Sequence, residues 1–330
     1  MKGHPLFLPP EQAAIHPRLI WAANRFWMET ENLKTRRWGG ESHHHWYTLL
    51  LLMKAFKLLL QVTGQYQRGV RNAWDMTVRE VDLWLPRLPA RFEGFEILHL
   101  SDLHLDGMPG LEETILASTG GREFDLCVLT GDYRTELHGP IRPTLDRLRR
   151  LVEGLSCRHG LLGVLGNHDD CHMVAPMEAM GIRMLVNESV EIERGGERIQ
   201  LIGTDDVHYY FTDQAVHALE RAGPAFTIAL VHSPEIYELA AETGVDLYLC
   251  GHSHGGQVAL PGGRAILKHL SRGRRFYKGI WTYREMMGVT SCGVGTSGIP
   301  VRFNTRGEIL VLKLHRGPRG WRRVGAQGGE

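Results

Sequence analysis

The densest apolar stretches of this chain are short, and each stops at a cluster of polar side chains. Glu96–Ser101, Asp125–Thr130, Leu161–Leu165, Phe226–Val231 and Asp246–Cys250 are five or six residues long and nearly continuous in apolar character. Runs of that length predict strands buried on both faces, as in a sheet covered on each side. Arg198–Ile202 and Ile309–Leu314 predict two further strands, expected in a second sheet packed on the first. Helical periodicity predicts helices over Ile141–Leu155, Asp213–Arg221 and Pro234–Ala241. Strand and helix signals alternate from residue 94 to about 315, which makes this an α/β domain.

Residues 1–93 read differently, as a helical region rich in Trp and Arg, with Pro86 and Pro89 marking the junction into the first strand. Its most apolar run, Trp46–Leu60, is broken by Lys54 and Lys57, short of the ~20 residues that span a bilayer. Lys54, Lys57, Gln61 and Gln65 fall at helical spacing, leaving a broad apolar face with Trp46 and Tyr47 at one end. Two readings stay open for that face: it packs on the α/β domain, or it lies on a membrane as a lid or docking element. The basic residues Lys268, Arg272, Arg274, Arg275 and Lys278 suit anionic headgroups, a substrate phosphate or plain solvation. His43, His44 and His45 are consecutive, and consecutive helical residues point in different directions, so they predict a solvated helix start. The tail 316–330, rich in Gly and Arg, predicts disorder.

Chemistry is concentrated where the strands end. The closing segments are Asp102-Leu103-His104, Gly131-Asp132, Gly166-Asn167-His168-Asp169, His232 and Gly251-His252-Ser253-His254. The crevice beyond the carboxyl ends of such strands is the usual ligand site of an open α/β sheet. Glycines 131, 166 and 251 fit the close backbone approach of a crowded centre. His, Asp and Asn without Cys form a donor set for Mn, Fe or Zn, enough for two adjacent divalent cations, with Asp132 as the candidate bridge. One such segment alone is usually a turn or a cap, and only the set of five carries the reading. His99, between Leu98 and Leu100, is expected to be a satisfied structural histidine.

The ordered series resembles the calcineurin-like metallophosphoesterase superfamily, over about Phe95 to Leu314. That resemblance implies two packed mixed β-sheets flanked by helices. It also implies one cation held by Asp102, His104, Asp132 and His254, and a second held by Asp132, Asn167, His232 and His252. His168 would protonate the leaving oxygen and Asp169 would orient it. The implied reaction is hydrolysis of a P–O bond by a hydroxide held between the cations. The Gly255-Gly256-Gln257 extension and the run Gly293–Arg302 are similar to a bacterial membrane-associated branch that includes UDP-2,3-diacylglucosamine pyrophosphatases of lipid A synthesis. Tyr133-Arg134 departs from many relatives, and Arg134 is the candidate contact to substrate phosphate.

Composition narrows the alternatives. With 38 basic and 37 acidic residues the formal charge is +1, which argues against a dedicated nucleic-acid binder. The five cysteines have no close pairs, and the first residues lack a signal-peptide pattern, so a reducing, cytoplasmic setting is expected, with contact at the inner face of the membrane left open. The expected partner is a phosphate ester or pyrophosphate, lipid-linked in the leading reading. A soluble nucleotide or general diester is the alternative, and a non-catalytic scaffold on the same fold is the third possibility.

Overall fold

The computed structural model describes residues 17–38 and 43–324, with side chains over 17–31 and 51–324. Two compact units divide at Thr48 and Leu49. The first contains helix α1 (Pro17–Trp38), where Arg25 Nε donates to Glu29 at 2.9 Å one helical turn on. Leu19, Ile20, Phe26 and Trp27 of this helix are exposed. Helix α2 (His43–Val62) crosses the division, and the side chains of His43–His45, Trp46 and Tyr47 lie outside the described residues.

The second unit continues with α3 (Tyr66–Trp74) and strands β1 (Thr77–Leu85) and β2 (Phe95–Leu100). Next come α4 (Leu111–Thr119), β3 (Glu123–Phe124), β4 (Leu126–Thr130), α5 (Arg142–Gly154), β5 (Ser156–Cys157), β6 (Leu161–Val164), α6 (Val174–Ala179) and β7 (Ile182–Met184). A second run follows: β8 (Glu188–Arg194), β9 (Glu197–Gly203), α7 (Asp213–Leu219), β10 (Phe226–Leu230), α8 (Tyr237–Glu242) and β11 (Leu247–Cys250). The chain closes with β12 (Gly279–Tyr283), β13 (Met286–Thr290), β14 (Glu308–Arg316) and β15 (Gly320–Arg323).

Two mixed sheets result, ordered β15-β1-β14-β2-β4-β6-β7 and β12-β13-β11-β10-β9-β8. Alternate residues of both face one core: Phe95 and Ile97, Leu126 and Val128, Leu162 and Val164 from the first, and Leu201, Ile228, Leu230, Leu247 and Leu249 from the second. Odd and even positions are both buried because the opposite face of the second sheet packs Ala229, Val231, Tyr248 and Cys250 against α7 and α8. That double burial is why the strands read as unbroken apolar runs. β2, β4 and β6 run parallel, as do β9, β10 and β11, so their carboxyl ends gather side by side.

Three expectations need correcting. β1 is a strand inside the stretch expected to be helical, and its parallel pairing with β14 extends the first sheet upstream of residue 94. β14, expected in the second sheet, sits in the first between β1 and β2. The expected disordered tail is ordered as far as Val324, because β15 pairs antiparallel with β1 through Val81–Trp84. Residues 325–330 lie outside the described residues.

Candidate metal centre

Each donor stands on a turn that ends a strand, and most of these turns are strained. Among the described residues ten non-glycines have φ in the left-handed region, and five of them are Asp102, His104, Asp132, His252 and His254. Such a conformation costs on the order of 1–3 kcal/mol per residue and persists only where the surroundings over-determine it. Here the chain is turned sharply to aim side chains at one point. The same crowding explains two glycines: a Cβ on Gly131 would sit 2.5 Å from the Gly166 backbone nitrogen, and one on Gly166 would strike the Asp132 carboxylate.

The seven expected donors converge. Asp102, His104, Asp132 and His254 bring one ligand atom each within 4.8 Å of one another, and Asp132, His232 and His252 do the same. Asp132 belongs to both groups, the position of a bridge. His254 Nε2 lies 3.5 Å from Asp102 Oδ1, and Asp132 Oδ2 lies 3.3 Å from His232 Nε2 and 3.7 Å from His104 Nε2. Asn167 Oδ1 stands 3.1 Å from the same His232 nitrogen. Asp102, His104 and His232 are fully buried, and the other four donors nearly so.

Backbone carbonyls fix which nitrogens point inward. His104 Nδ1–H donates to Arg134 O at 2.8 Å, His232 Nδ1–H to Thr130 O at 2.8 Å, and His252 Nε2–H to His269 O at 2.8 Å. In its neutral form each ring would turn a lone pair to the centre, the outer support common to metal-bound histidines. His104 Nε2 then faces His254 Nε2 at 3.1 Å, and His252 Nδ1 faces His232 Nε2 at 3.1 Å. Lone pairs at that distance repel unless a cation or proton lies between them. The donor set and its geometry thus fit divalent cations.

Electrostatics agree. Burial pushes the Asp102 carboxyl up to about 6 and the His104 imidazole down to about 4. Burial also opposes charge on His232, but the Asp132 and Asp102 carboxylates outweigh it and hold that imidazole up to about 10. Asp132 is drawn well below the usual carboxylate range, because the His232 charge overcomes its burial. Buried carboxylates that raise a neighbouring base in this way form a site of excess negative charge, suited to a cation.

One expected role changes. Asp169 does not serve as the partner of His168 Nδ1, which donates instead to Thr135 O at 2.7 Å. The Asp169 carboxylate accepts the backbone N–H of Asp132 at 2.8 Å, Tyr133 at 2.8 Å and Gly166 at 2.7 Å, locking two donor turns together. Arg134 contributes its carbonyl to His104, while its Nε and Nη1 are buried without a hydrogen-bond partner among the described residues. His99 is structural as expected, fully buried with Nε2 2.9 Å from Thr130 Oγ1.

Other residues were not singled out from sequence. Arg302 is fully buried and donates to the carbonyls of His254 at 3.1 Å, Cys292 at 2.8 Å, Gly293 at 3.1 Å and Gly295 at 2.7 Å. Gly295 N–H in turn bonds Asp102 O at 2.8 Å, so one guanidinium ties together the turns that carry two donors. The turn after β9 brings buried Asp205 and Asp206, then His208. Its signal was present: β9 also ends in a polar cluster, Thr204-Asp205-Asp206, as the other strands do.

Residues 95–256 match the family model of calcineurin-like phosphoesterases. A Bacillus subtilis protein named uncharacterized metallophosphoesterase YkoQ is 28% identical over 279 residues, covering 81% of this chain and all of that one. Escherichia coli phosphodiesterase YaeI is 28% identical over 233 residues, covering 67% of this chain and 82% of that one. A Danio rerio transmembrane protein with metallophosphoesterase domain is 30% identical over 274 residues, covering 74% of this chain and 59% of that one. The chain belongs to the calcineurin-like phosphoesterase family.

Proposed function

We propose that this member of the calcineurin-like phosphoesterase family hydrolyses a P–O bond of a phosphate ester or pyrophosphate at a pair of divalent cations. The observation that carries it is the sharing of Asp132 between two donor groups whose imidazole nitrogens face each other at 3.1 Å. Asp102, His104, Asp132 and His254 would hold one cation, and Asp132, Asn167, His232 and His252 the other. Such a pair, when bound, makes water nucleophilic near neutral pH and offsets negative charge at phosphorus.

The chain's own groups do the rest. Thr135 O accepts a hydrogen bond from His168 Nδ1–H, leaving Nε2 as the atom that would pass a proton to the leaving oxygen. The Asp169 carboxylate positions the Asp132 and Gly166 backbone, and Arg134 offers its unpartnered donors to a phosphoryl oxygen. A scaffold that had lost catalysis would have no need of seven donors converging on strained turns.

The leading substrate is lipid-linked, of the UDP-2,3-diacylglucosamine kind. Support comes from α2, where Leu51, Leu52, Leu58, Leu59 and Val62 are between 57% and 78% exposed. These positions follow helical spacing, so they make one apolar face, beside Lys54 and Lys57. Among the described residues no helix is long and apolar enough to cross a membrane, so the fit is to a helix lying on the surface. A soluble diester is the second reading, favoured by the name of the E. coli relative. A metal-supplemented screen over bis(p-nitrophenyl) phosphate, nucleoside diphosphate sugars and lipid-linked pyrophosphates tests the proposal. Turnover of at least one class that disappears on chelation is expected, and none on any class would overturn it.

A further inference from the structure

Two more imidazoles, His208 and His269, stand beside the centre. His208 Nδ1–H donates to Glu235 Oε2 at 2.7 Å, and their side chains are only 8% and 7% exposed. The His208 ring centroid lies 4.4 Å from that of His252 and 5.1 Å from that of His269. The other oxygen of Glu235 accepts Ser271 N–H at 2.6 Å and Arg272 N–H at 3.3 Å. One carboxylate therefore fixes both the His208 ring and the loop that carries His269. The same loop is tied to a donor of the second cation through His252 Nε2–H and His269 O, 2.8 Å apart.

What would such a cluster bind? Ligand atoms of His208, His252 and His269 lie within 4.8 Å of one another, close enough for a third cation. His252 argues against that, because its Nε2–H is committed to a carbonyl and its Nδ1 faces His232 at 3.1 Å. His208 and His269 remain as hydrogen-bonding groups; Glu235 and Asp206 bond His208, while the loop that carries His269 is basic. From Arg264 to Lys278 the loop carries six Lys or Arg and no Asp or Glu. That composition attracts an anion. His168, in contrast, packs edge-on against His104 at 5.1 Å, so the two extra imidazoles flank the second cation's donors and His168 flanks the first's.

We infer that His208 and His269 form a subsite for a second phosphoryl group, which makes the preferred substrate class a pyrophosphate or another compound with two adjacent phosphoryl groups. Adjacent phosphoryl groups share one bridging atom, so the second must lie within about a side chain's width of the first, where His208 stands relative to His252. This rests on the phosphoesterase reading and adds the substrate class to it.

The test compares two non-hydrolysable probes, methylenediphosphonate and methylphosphonate, as inhibitors of bis(p-nitrophenyl) phosphate hydrolysis by the manganese-loaded full chain. Wild type should favour the diphosphonate by tenfold or more, and His208→Ala/His269→Ala should bring that ratio to within threefold of one with two cations still bound. Glu235→Gln, which keeps the shape but weakens the hold on His208, should fall between them. No preference in wild type, a preference surviving in the double variant, or a preference lost only together with a cation would each overturn the subsite. If the diester is not hydrolysed, calorimetric binding of the same two probes to the manganese-loaded chain decides the subsite, and the phosphoesterase reading stands or falls on the three-class screen.

Discussion

The strand-end turns and helix α2 are opposite solutions to the placement of awkward groups. At the turns, seven polar donors are buried and five of them sit on strained backbone, so the fold holds chemistry where water would otherwise satisfy it. On α2, five large apolar side chains are left in solvent although the adjacent sheets bury almost every one of theirs. Buried polar groups are costly unless something pairs them, and a contiguous exposed apolar face is costly unless something covers it. Both regions are therefore incomplete in a definite way. The turns call for a cation and α2 calls for an apolar partner.

The sharpest way to break that contrast is at the shared carboxylate. Asp132→Asn removes charge from both donor groups, so content of both cations and turnover should fall together, turnover by more than for any other single change. Retention of two cations with full activity would remove the bridge. His168→Ala should keep both cations and lower turnover by ~10²–10⁴, with activated leaving groups suffering least. Equal loss for good and poor leaving groups would take the proton-donor role away from it.

Arg302→Met tests whether the strain is held from outside the donor set. Four carbonyls would lose a buried donor, for which we expect a stability loss of about 1–3 kcal/mol. Cation affinity should fall ~10–100-fold, as for other residues that support ligands from behind. Metal titration together with urea unfolding separates the two effects, and a stability loss at unchanged affinity would make Arg302 merely structural.

The other half of the comparison is sharpened by Leu51→Ser/Leu58→Ser/Val62→Ser. Flotation with anionic liposomes should drop severalfold, while hydrolysis of a soluble diester should stay within twofold. Unchanged flotation would leave the apolar face without a bilayer partner. The smallest effect concerns the partly buried charge cluster of His315 with Glu93 at 2.6 Å and Asp82 at 3.1 Å. Partial burial lowers the His315 imidazole, and the two carboxylates outweigh it and raise it. Its contribution is therefore complete below pH 6.5 and lost as pH rises through the raised value, about a few tenths of a kcal/mol for a cluster at the surface whose Glu93 is half exposed. Urea midpoints of wild type and His315→Gln should differ at pH 6 and converge at pH 9.

These regions also differ in how far the residues alone reveal them. Asp102, His104, Asp132, Asn167, His232, His252 and His254 were legible because each closes an apolar run, and period and punctuation survive in one sequence. β1 was not legible: Thr77–Leu85 alternates weakly and carries Arg79, Glu80 and Asp82, and pairing with β14 and β15 makes it a strand. β14 was recognised as a strand but placed in the wrong sheet, since sheet membership is decided by long-range pairing and not by local pattern. Asp169 was found and given the wrong partner, because adjacency to His168 in sequence says nothing of which backbone N–H groups its carboxylate meets. Arg302 is illegible as a site residue for the same reason, as its role depends on contacts with loops far along the chain, whereas the turn of His208 is marked by the polar cluster that ends β9.

Metal analysis of the purified full chain, wild type beside Asp132→Asn and His232→Ala, tests the central claim most directly. Two cations per wild-type chain, loss of both in Asp132→Asn and selective loss of one in His232→Ala are predicted. One cation or none in wild type, or two retained in Asp132→Asn, would contradict it.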